Sequence, residues 1–221
     1  VNAGSDVTIC NGQSTTLAAV GTPGGDYAWS NGPIVASQVV NPTSTMVYTV
    51  TITKDGCTAT DNVTVTVNPI PNLNAGADVT ICSGESTNLI ASGANTYLWS
   101  NGSTSPSITV SPTITSTYKI TGTMNGCNTT DEVIVTVNAT PFISASDDKT
   151  ICKGENTVIN VTGEAAVSYT WDHNLGNDMA YTITPTSTTT YKVTGSKNGC
   201  TATADVVITV NDVPVIGLGS D

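Results

Sequence analysis

The sequence predicts an all-β protein that consists of three similar β-sandwiches in tandem. The 221 residues contain many short segments in which apolar and polar side chains alternate, with turn residues about every eight to twelve positions. One hairpin pattern recurs three times along the chain. No helical periodicity extends beyond a single turn. Recurrence at a period of roughly 70 residues indicates a repeat architecture with about seven strands in each unit.

The repeats have the same order of elements. Each opens with a short strand that ends in cysteine (DVTIC at 78–82), continues to a strand that ends in Trp, and closes with a hairpin. In repeats 1 and 2 the Trp is followed by Ser-Asn-Gly. The predicted boundaries are 1–71 for repeat 1, 72–141 for repeat 2 and 142–213 for repeat 3, with 214–221 as the start of a fourth. The linkers are short and contain proline, which favours a semi-rigid rod of about 100 Å.

The closing hairpin of repeat 2 is the clearest local signal. Asn125-Gly126 is typical of a type I′ turn, because both residues tolerate positive φ. With this turn Tyr118 faces Val133, and one face of the hairpin is apolar while the other is mostly threonine. Asp55-Gly56 and Asn198-Gly199 occupy the same position in the other hairpins.

Aromatic residues recur at fixed positions and are predicted to form the sandwich cores. The alternative, that they stack against a ligand, is the weaker interpretation for a single Trp in the third strand. The predicted core residues are Trp29, Trp99, Trp171, Tyr48, Tyr118 and Tyr191.

Six cysteines, two in each repeat, are predicted to form structural disulfides. Six cysteines allow fifteen pairings, and the simplest pairing lies within each repeat: Cys10–Cys57, Cys82–Cys127 and Cys152–Cys200. Each such loop would add roughly 4 kcal/mol on the chain-entropy estimate. Zinc binding is disfavoured, since there is no C-x-x-C pair and only one histidine. Persistent disulfides indicate an extracellular compartment.

Charge and composition exclude several classes of partner. The net charge is −11, with six lysines and no arginine, which argues against binding to nucleic acid or anionic membranes. No run of about twenty apolar residues predicts a membrane span. The chain starts without Met or a signal peptide, so we expect it to be part of a longer secreted precursor.

The sequence contains no pattern typical of an active site. The only histidine, His173, has no counterpart in the other repeats, and neither a G-x-S-x-G motif nor a phosphate-binding loop is present. We therefore expect a protein that is not an enzyme and has no cofactor.

Calcium is the one metal for which candidate ligands exist. Asp172, Asn174 and Asp178 lie together in the loop after Trp171, and oxygen ligands at such spacing suit calcium. A second candidate set consists of Asp6, Asp78 and Asp148 at the start of the three repeats. The alternative is that these side chains cap or solvate strand ends.

Two further acidic residues, Asp61 and Asp131, fall on the apolar face of the closing hairpins. They either accept hydrogen bonds from backbone or are turned outward by a β-bulge, and we favour the bulge.

Several motifs together resemble a known group: D-V-T-I-C, the Trp-Ser-Asn-Gly turn, S-I-T-V-S-P, and N-G-C followed by V-x-V-T-V-N. The chain is similar to the immunoglobulin-like (PKD-like) repeats of large surface proteins from gliding, Bacteroidetes-type bacteria. That resemblance implies immunoglobulin-like sandwiches, export by the type IX pathway, and a role as stalk or spacer in adhesins. The chain departs from antibody-type domains, because Cys82 precedes the second strand instead of lying within it. We therefore expect the disulfide to pin one end of each sandwich rather than its centre.

The predicted function is a structural stalk of an extracellular adhesin-like or fibre-forming protein. One alternative is a module that binds carbohydrate or another surface, and another is a subunit of a self-assembling filament. The expected partners are neighbouring repeats of the same parent chain, with other copies of the chain or surface polysaccharide under the two alternatives.

Overall fold

The protein is described here for residues 1–214 of a computed structural model, and all regular structure in this range is β. No helix in residues 1–214 is long and apolar enough to cross a membrane. The predicted start of a fourth repeat lies outside the described residues, apart from Pro214.

The three repeats contain equivalent strands, each short except for the two strands of the closing hairpin. Repeat 1 contains β1 (Val7–Cys10), β2 (Thr15–Ala18), β3 (Asp26–Trp29), β4 (Ser37–Val40), β5 (Met46–Lys54) and β6 (Cys57–Asn68). Repeat 2 contains β7 (Val79–Cys82), β8 (Thr87–Ile90), β9 (Thr96–Trp99), β10 (Ser107–Val110), β11 (Ser116–Met124) and β12 (Cys127–Asn138). Repeat 3 contains β13 (Ile143–Ala145), β14 (Lys149–Cys152), β15 (Thr157–Gly163), β16 (Ser168–Trp171), β17 (Ala180–Ile183), β18 (Thr189–Lys197) and β19 (Cys200–Asn211).

Each repeat has a four-stranded sheet and a smaller second sheet. The larger sheets have the orders β1-β6-β5-β3, β7-β12-β11-β9 and β14-β19-β18-β16, and the smaller ones are β2-β4, β10-β8 and β13-β15-β17. Repeats 1 and 2 have a single bridge where repeat 3 has its extra strand β13, namely Asn2–Val20 and Asn74–Ser92. The chain is therefore a tandem array of three immunoglobulin-like β-sandwiches with six to seven strands each.

The described chain divides into two compact units that do not coincide with the repeats. The first contains residues 1–77, 88–110 and 117–134, and the second contains residues 78–87, 111–116 and the chain from 135 onward. Repeat 2 contributes to both units.

The first strand of each large sheet runs parallel to the last strand, and this pairing determines where the cysteines lie. Cys10 is opposite Asn68 at the end of β6. Cys152 is opposite Asn211 at the end of β19 in the same way. The first cysteine of a repeat thus lies beside the closing Asn of that repeat.

The hairpin turns have the conformation that the sequence predicts. Asn125 and Gly126 have φ values of 50° and 80°, and Asp55 and Asn198 each have a φ of 50°. Positive φ at both central positions is the type I′ turn, which confirms this prediction. In repeat 1 the turn pairs Tyr48 with Val63 across the hairpin.

Apolar side chains from the two sheets form the cores. Trp29 and Tyr48 belong to the core of repeat 1, and Trp171 and Tyr191 belong to that of repeat 3. Trp99 is 1% exposed, whereas Tyr118 is half-buried. Each indole N–H donates to a backbone carbonyl a few residues later: Trp29 to Val35 at 2.9 Å, Trp99 to Ser105 at 3.0 Å and Trp171 to Asp178 at 3.1 Å. These bonds satisfy the only polar group of each buried indole.

Our interpretation of Asp61 and Asp131 as bulge residues is wrong. Asp61 lies in unbroken register opposite Val50, and its carboxylate accepts a hydrogen bond from the Ala3 N–H at 2.8 Å. Asp131 accepts from the Ala75 N–H at 2.8 Å. A backbone N–H from the start of the repeat therefore offsets the cost of placing each carboxylate on the apolar face. This bond lowers the pKa of Asp61 below its ordinary value.

One position in the closing hairpins depends on the segment at the start of the repeat. A side chain on Gly122 would meet the Leu73 side chain at 2.6 Å, and one on Gly195 would meet Ile143 at 2.6 Å. Repeat 1 has Ile52 at the corresponding position, where it is buried. Repeats 2 and 3 therefore fill this space with a residue from their opening segment, and repeat 1 fills it from its own hairpin.

Candidate functional site

The six cysteines carry the most distinctive chemistry of the described chain, and four of them join successive repeats. Cys10 of repeat 1 is bonded to Cys127 of repeat 2, with a Cα–Cα distance of 5.6 Å. Cys82 of repeat 2 is bonded to Cys200 of repeat 3, with a Cα–Cα distance of 5.7 Å. Both distances are ordinary for disulfides.

The predicted pairing within each repeat is wrong. The bonds Cys10–Cys57, Cys82–Cys127 and Cys152–Cys200 do not form, and Cys57 and Cys152 are free and exposed. The reason is the parallel pairing of the first and last strands. Cys10 lies beside Asn68, whereas Cys57 begins the same strand β6 eleven residues earlier. At about 3.3 Å per residue the two cysteines of one repeat are roughly 35 Å apart.

The hairpin turn of the following repeat brings the second cysteine to this end. The closing Asn68 donates its side-chain N–H to the Asn125 carbonyl at 2.8 Å, two residues before Cys127. Asn138 donates to the Asn198 carbonyl at 2.9 Å in the same way. We call the disulfide together with this hydrogen bond a disulfide joint. Joint 1 consists of Cys10, Asn68, Asn125 and Cys127, and joint 2 consists of Cys82, Asn138, Asn198 and Cys200.

The two joints agree in detail. The Cys127 sulfur lies 3.9 Å from the Asn68 carbonyl oxygen, and the Cys200 sulfur lies 3.8 Å from that of Asn138. Both hairpin cysteines are 1% exposed. The same contacts at two independent places show that the joint is a regular feature of adjacent repeats in this chain.

A turn after the first cysteine holds that cysteine in place. The N–H of Cys10 donates to the Gln13 side chain at 3.0 Å, and the N–H of Cys82 donates to Glu85 at 2.8 Å. The residue after each cysteine donates to the carbonyl of the closing Asn: Asn11 to Asn68 and Ser83 to Asn138, both at 2.8 Å. This part of the joint is fixed by hydrogen bonds within a single repeat, so it does not depend on the disulfide.

Sequence reasoning missed the closing Asn as a functional residue. Its spacing of eleven residues after the hairpin cysteine was visible. Eleven residues of strand place the hairpin cysteine and the closing Asn at opposite ends of the sheet, but only the pairing of β1 with β6 shows that the first cysteine lies beside that Asn.

The calcium candidates are used for other purposes in the structure. Asp6 accepts from the Thr64 N–H at 2.8 Å and Asp148 from the Val207 N–H at 2.7 Å, and Asp78 has the equivalent position in repeat 2. Within residues 1–214, no group of three or more His, Cys, Asp or Glu side chains is placed to hold a metal ion. The sequence prediction of calcium therefore gains no support.

The loop after Trp171 instead forms a small polar cluster on the surface. One oxygen of Asp172 accepts from the Lys192 N–H at 3.0 Å and lies 2.7 Å from His173 Nδ1. The N–H of Asp178 donates to the Tyr181 hydroxyl at 2.9 Å, and Asn174 contributes a left-handed turn residue with a φ of 57°. These contacts are those of a loop folded on its own strands.

Comparisons with known proteins leave the family open. No family model matches the chain, and no curated protein matches it. The structure resembles a three-immunoglobulin-domain fragment of titin, with 11% identity, a TM-score of 0.47 and coverage of 94% of this chain and 96% of the fragment. It also resembles extracellular domains 3–5 of Drosophila OTK (10% identity, TM-score 0.40, 94% of each chain) and the insect immune protein hemolin (14% identity, TM-score 0.36, 95% of this chain and 74% of that one). These TM-scores are below 0.5, so the fold assignment rests on the sheets described above.

Proposed function

We propose that this chain is a structural stalk or spacer of an extracellular protein. The observation that carries this proposal is the covalent bond between successive repeats, which occurs twice with the same geometry. A disulfide that joins neighbouring repeats restricts the motion between them, whereas a disulfide within one repeat would stabilise only that repeat.

The two covalent loops overlap in the sequence. One loop closes residues 10–127 and the other closes residues 82–200, so residues 82–127 belong to both. Each bond alone would constrain the unfolded chain by about 5 kcal/mol on the chain-entropy estimate. A chain of this kind resists separation of its repeats under tension, which is what a stalk requires.

Several further properties support an extracellular location and a non-enzymatic role. Disulfides persist in oxidising compartments. The net charge of −11 favours solubility of an exposed chain. The polar clusters described above consist of strand caps and folded loops, and none is arranged as a nucleophile with its base.

The proposal is tested by the distribution of end-to-end distances in single molecules. Donor and acceptor dyes are attached through terminal peptide tags to the variant Cys57→Ser/Cys152→Ser, which lacks the free thiols but retains both joints. We expect a narrow distribution in the oxidised protein, because the joints fix successive repeats, and a broader one after reduction with dithiothreitol. The further variant Cys10→Ser/Cys82→Ser lacks both joints and should give the broad distribution without reductant. Equal distributions in the oxidised and reduced protein would refute a stalk role for the joints.

A further inference from the structure

We propose that Cys57 and Cys152 are the two halves of a third disulfide joint, which forms head to tail between two copies of this chain. Joints 1 and 2 each connect the first cysteine of one repeat to the hairpin cysteine of the next repeat. Within residues 1–214 this rule leaves two cysteines without partners: the hairpin cysteine of repeat 1 and the first cysteine of repeat 3. Cys57 of one copy can thus pair with Cys152 of a second copy.

The Cys57 half has the same backbone as the bonded hairpins. Asp55 and Gly56 have φ values of 50° and 79°, and Asn198 and Gly199 in joint 2 have values of 50° and 82°. Cys57 pairs with Lys54 across the hairpin, as Cys200 does with Lys197. The difference is exposure, because Cys57 is exposed whereas Cys127 and Cys200 are 1% exposed. An open cleft of ≈ 310 Å³ next to Cys57 leaves room for the turn of a partner.

The turn that holds Cys152 already has the conformation found in joints 1 and 2. The N–H of Cys152 donates to the Glu155 side chain at 2.9 Å, and the Lys153 N–H donates to the Asn211 carbonyl at 2.9 Å. These are the bonds that hold Cys10 and Cys82 in the existing joints. The side chain of Asn211 is exposed, whereas Asn68 and Asn138 are half-buried against the next hairpin.

At two positions where the proposed joint differs from joint 1, its residues have opposite charges. In joint 1, Asn11 after the first cysteine and Asn125 in the turn line the same cleft of ≈ 500 Å³, and both are neutral. The corresponding residues of the proposed joint are Lys153 and Asp55. A lysine from one copy would therefore lie near an aspartate from the other. Lys153 is exposed, and among residues 1–214 its side chain forms one ion pair, with Asp212 at 3.6 Å, which it would lose in the proposed joint.

The bond forms by thiol–disulfide exchange with a small disulfide such as oxidised glutathione. The Cys57 thiolate attacks the small disulfide, which gives a mixed disulfide and releases one glutathione thiol. The Cys152 thiolate of the second copy then attacks the Cys57 sulfur and releases the second glutathione thiol. Two protein thiols are oxidised and one glutathione disulfide is reduced. Since the two halves of the joint differ, each added copy presents a new half, and the assembly is linear and open.

The test uses two variants with one free thiol each. Cys57→Ser retains Cys152, and Cys152→Ser retains Cys57, and neither change touches joint 1, joint 2 or a core residue. The two proteins carry tags of different mass, are mixed in equal amounts in a glutathione redox buffer, and are separated on a non-reducing gel. Random oxidation of exposed thiols gives about twice as much mixed dimer as either like dimer. We expect the mixed dimer to exceed each like dimer at least tenfold, with a Cys57–Cys152 peptide identified by mass spectrometry.

Charge complementarity supplies a matched control within the same experiment. Asp55→Asn in the Cys152→Ser protein should reduce the ratio of mixed to like dimers about twofold to fivefold, the range of an exposed ion pair. Asp205→Asn, an equal charge change on an exposed strand position of repeat 3, should leave the ratio unchanged. The unmodified chain should form a ladder of covalent oligomers, and Cys57→Ser/Cys152→Ser should remain monomeric.

Two results would overturn the proposal. A mixed dimer at the random ratio would show that the thiols of two copies react without docking. The partners of Cys57 and Cys152 would then have to be sought in neighbouring repeats of the same polypeptide. A predominance of like dimers would show that the contact is symmetric and unlike joints 1 and 2.

Discussion

The overlap of the two covalent loops predicts how far the unfolded chain can be extended. The informative protein is Cys57→Ser/Cys152→Ser, which lacks both free thiols and retains Cys10–Cys127 and Cys82–Cys200. It is held by its ends in a single-molecule force instrument and pulled beyond unfolding, first oxidised and then after reduction of the disulfides.

The expected length follows from the shortest covalent route between Cys10 and Cys200. This route crosses from Cys10 to Cys127, returns along the 45 residues to Cys82 and crosses to Cys200. At ~3.4 Å per residue the oxidised protein extends by about 160 Å between these two cysteines. The reduced chain has 190 residues between the same points and extends by about 650 Å. Reduction should therefore add about 490 Å.

The same variant distinguishes the joints from disulfides within each repeat. If the pairing were internal to the repeats, removal of Cys57 and Cys152 would leave only Cys82–Cys127. The route would then contain the 72 residues from 10 to 82 and the 73 from 127 to 200, or about 500 Å at full extension. An oxidised length near 500 Å would refute the joints, and a length near 160 Å would be incompatible with internal pairing.

Three further predictions concern stability. Asn138→Ala removes the hydrogen bond to the hairpin of repeat 3 and should lower the free energy of unfolding by about 0.5–1.5 kcal/mol in a urea titration. The matched control, Asn211→Ala, should have no effect on the monomer. Equal losses for both variants would contradict the role of the closing Asn. Trp99→Ala removes a side chain that is 1% exposed and should cost about 3–5 kcal/mol by the same measurement; a loss below 1 kcal/mol would place this indole outside the core. The hydrogen bond from the Ala3 N–H lowers the folded-state pKa of Asp61 below its ordinary value of 3.8. The ionised carboxylate therefore stabilises the fold fully above pH 3.8, and this stabilisation is lost as the pH falls through the folded-state pKa. Asp61→Ala should therefore weaken the acid dependence of stability, measured by thermal melts from pH 7 to pH 2, and an unchanged pH profile would contradict this assignment.

Local features of the fold could be predicted from the sequence because short-range rules determine them. The Asn-Gly and Asp-Gly pairs specify type I′ turns, and the turn then determines which residues face each other across the hairpin. Tyr48 opposite Val63 follows from the turn position alone. The recurrence of this pattern was sufficient to predict the number of sandwiches.

The disulfide pairing could not be predicted by the same reasoning because it depends on which strands are neighbours. Recurrence favours pairing within a repeat, but the parallel pairing of β1 with β6 places Cys10 and Cys57 at opposite ends of one sheet. Asp61 presents a similar case. Its backbone partner Ala3 is 58 residues away, and alternation within the hairpin contains no information about it.

The overlap of the two loops also determines what a single break in the backbone can do. A cut between residues 82 and 127 leaves two fragments that both disulfides still hold together, and a cut elsewhere between Cys10 and Cys200 leaves them joined by one. No single proteolytic nick between Cys10 and Cys200 releases a fragment of the oxidised protein. A chain exposed to secreted proteases thus remains continuous after damage that would sever an array whose disulfides lie within each repeat.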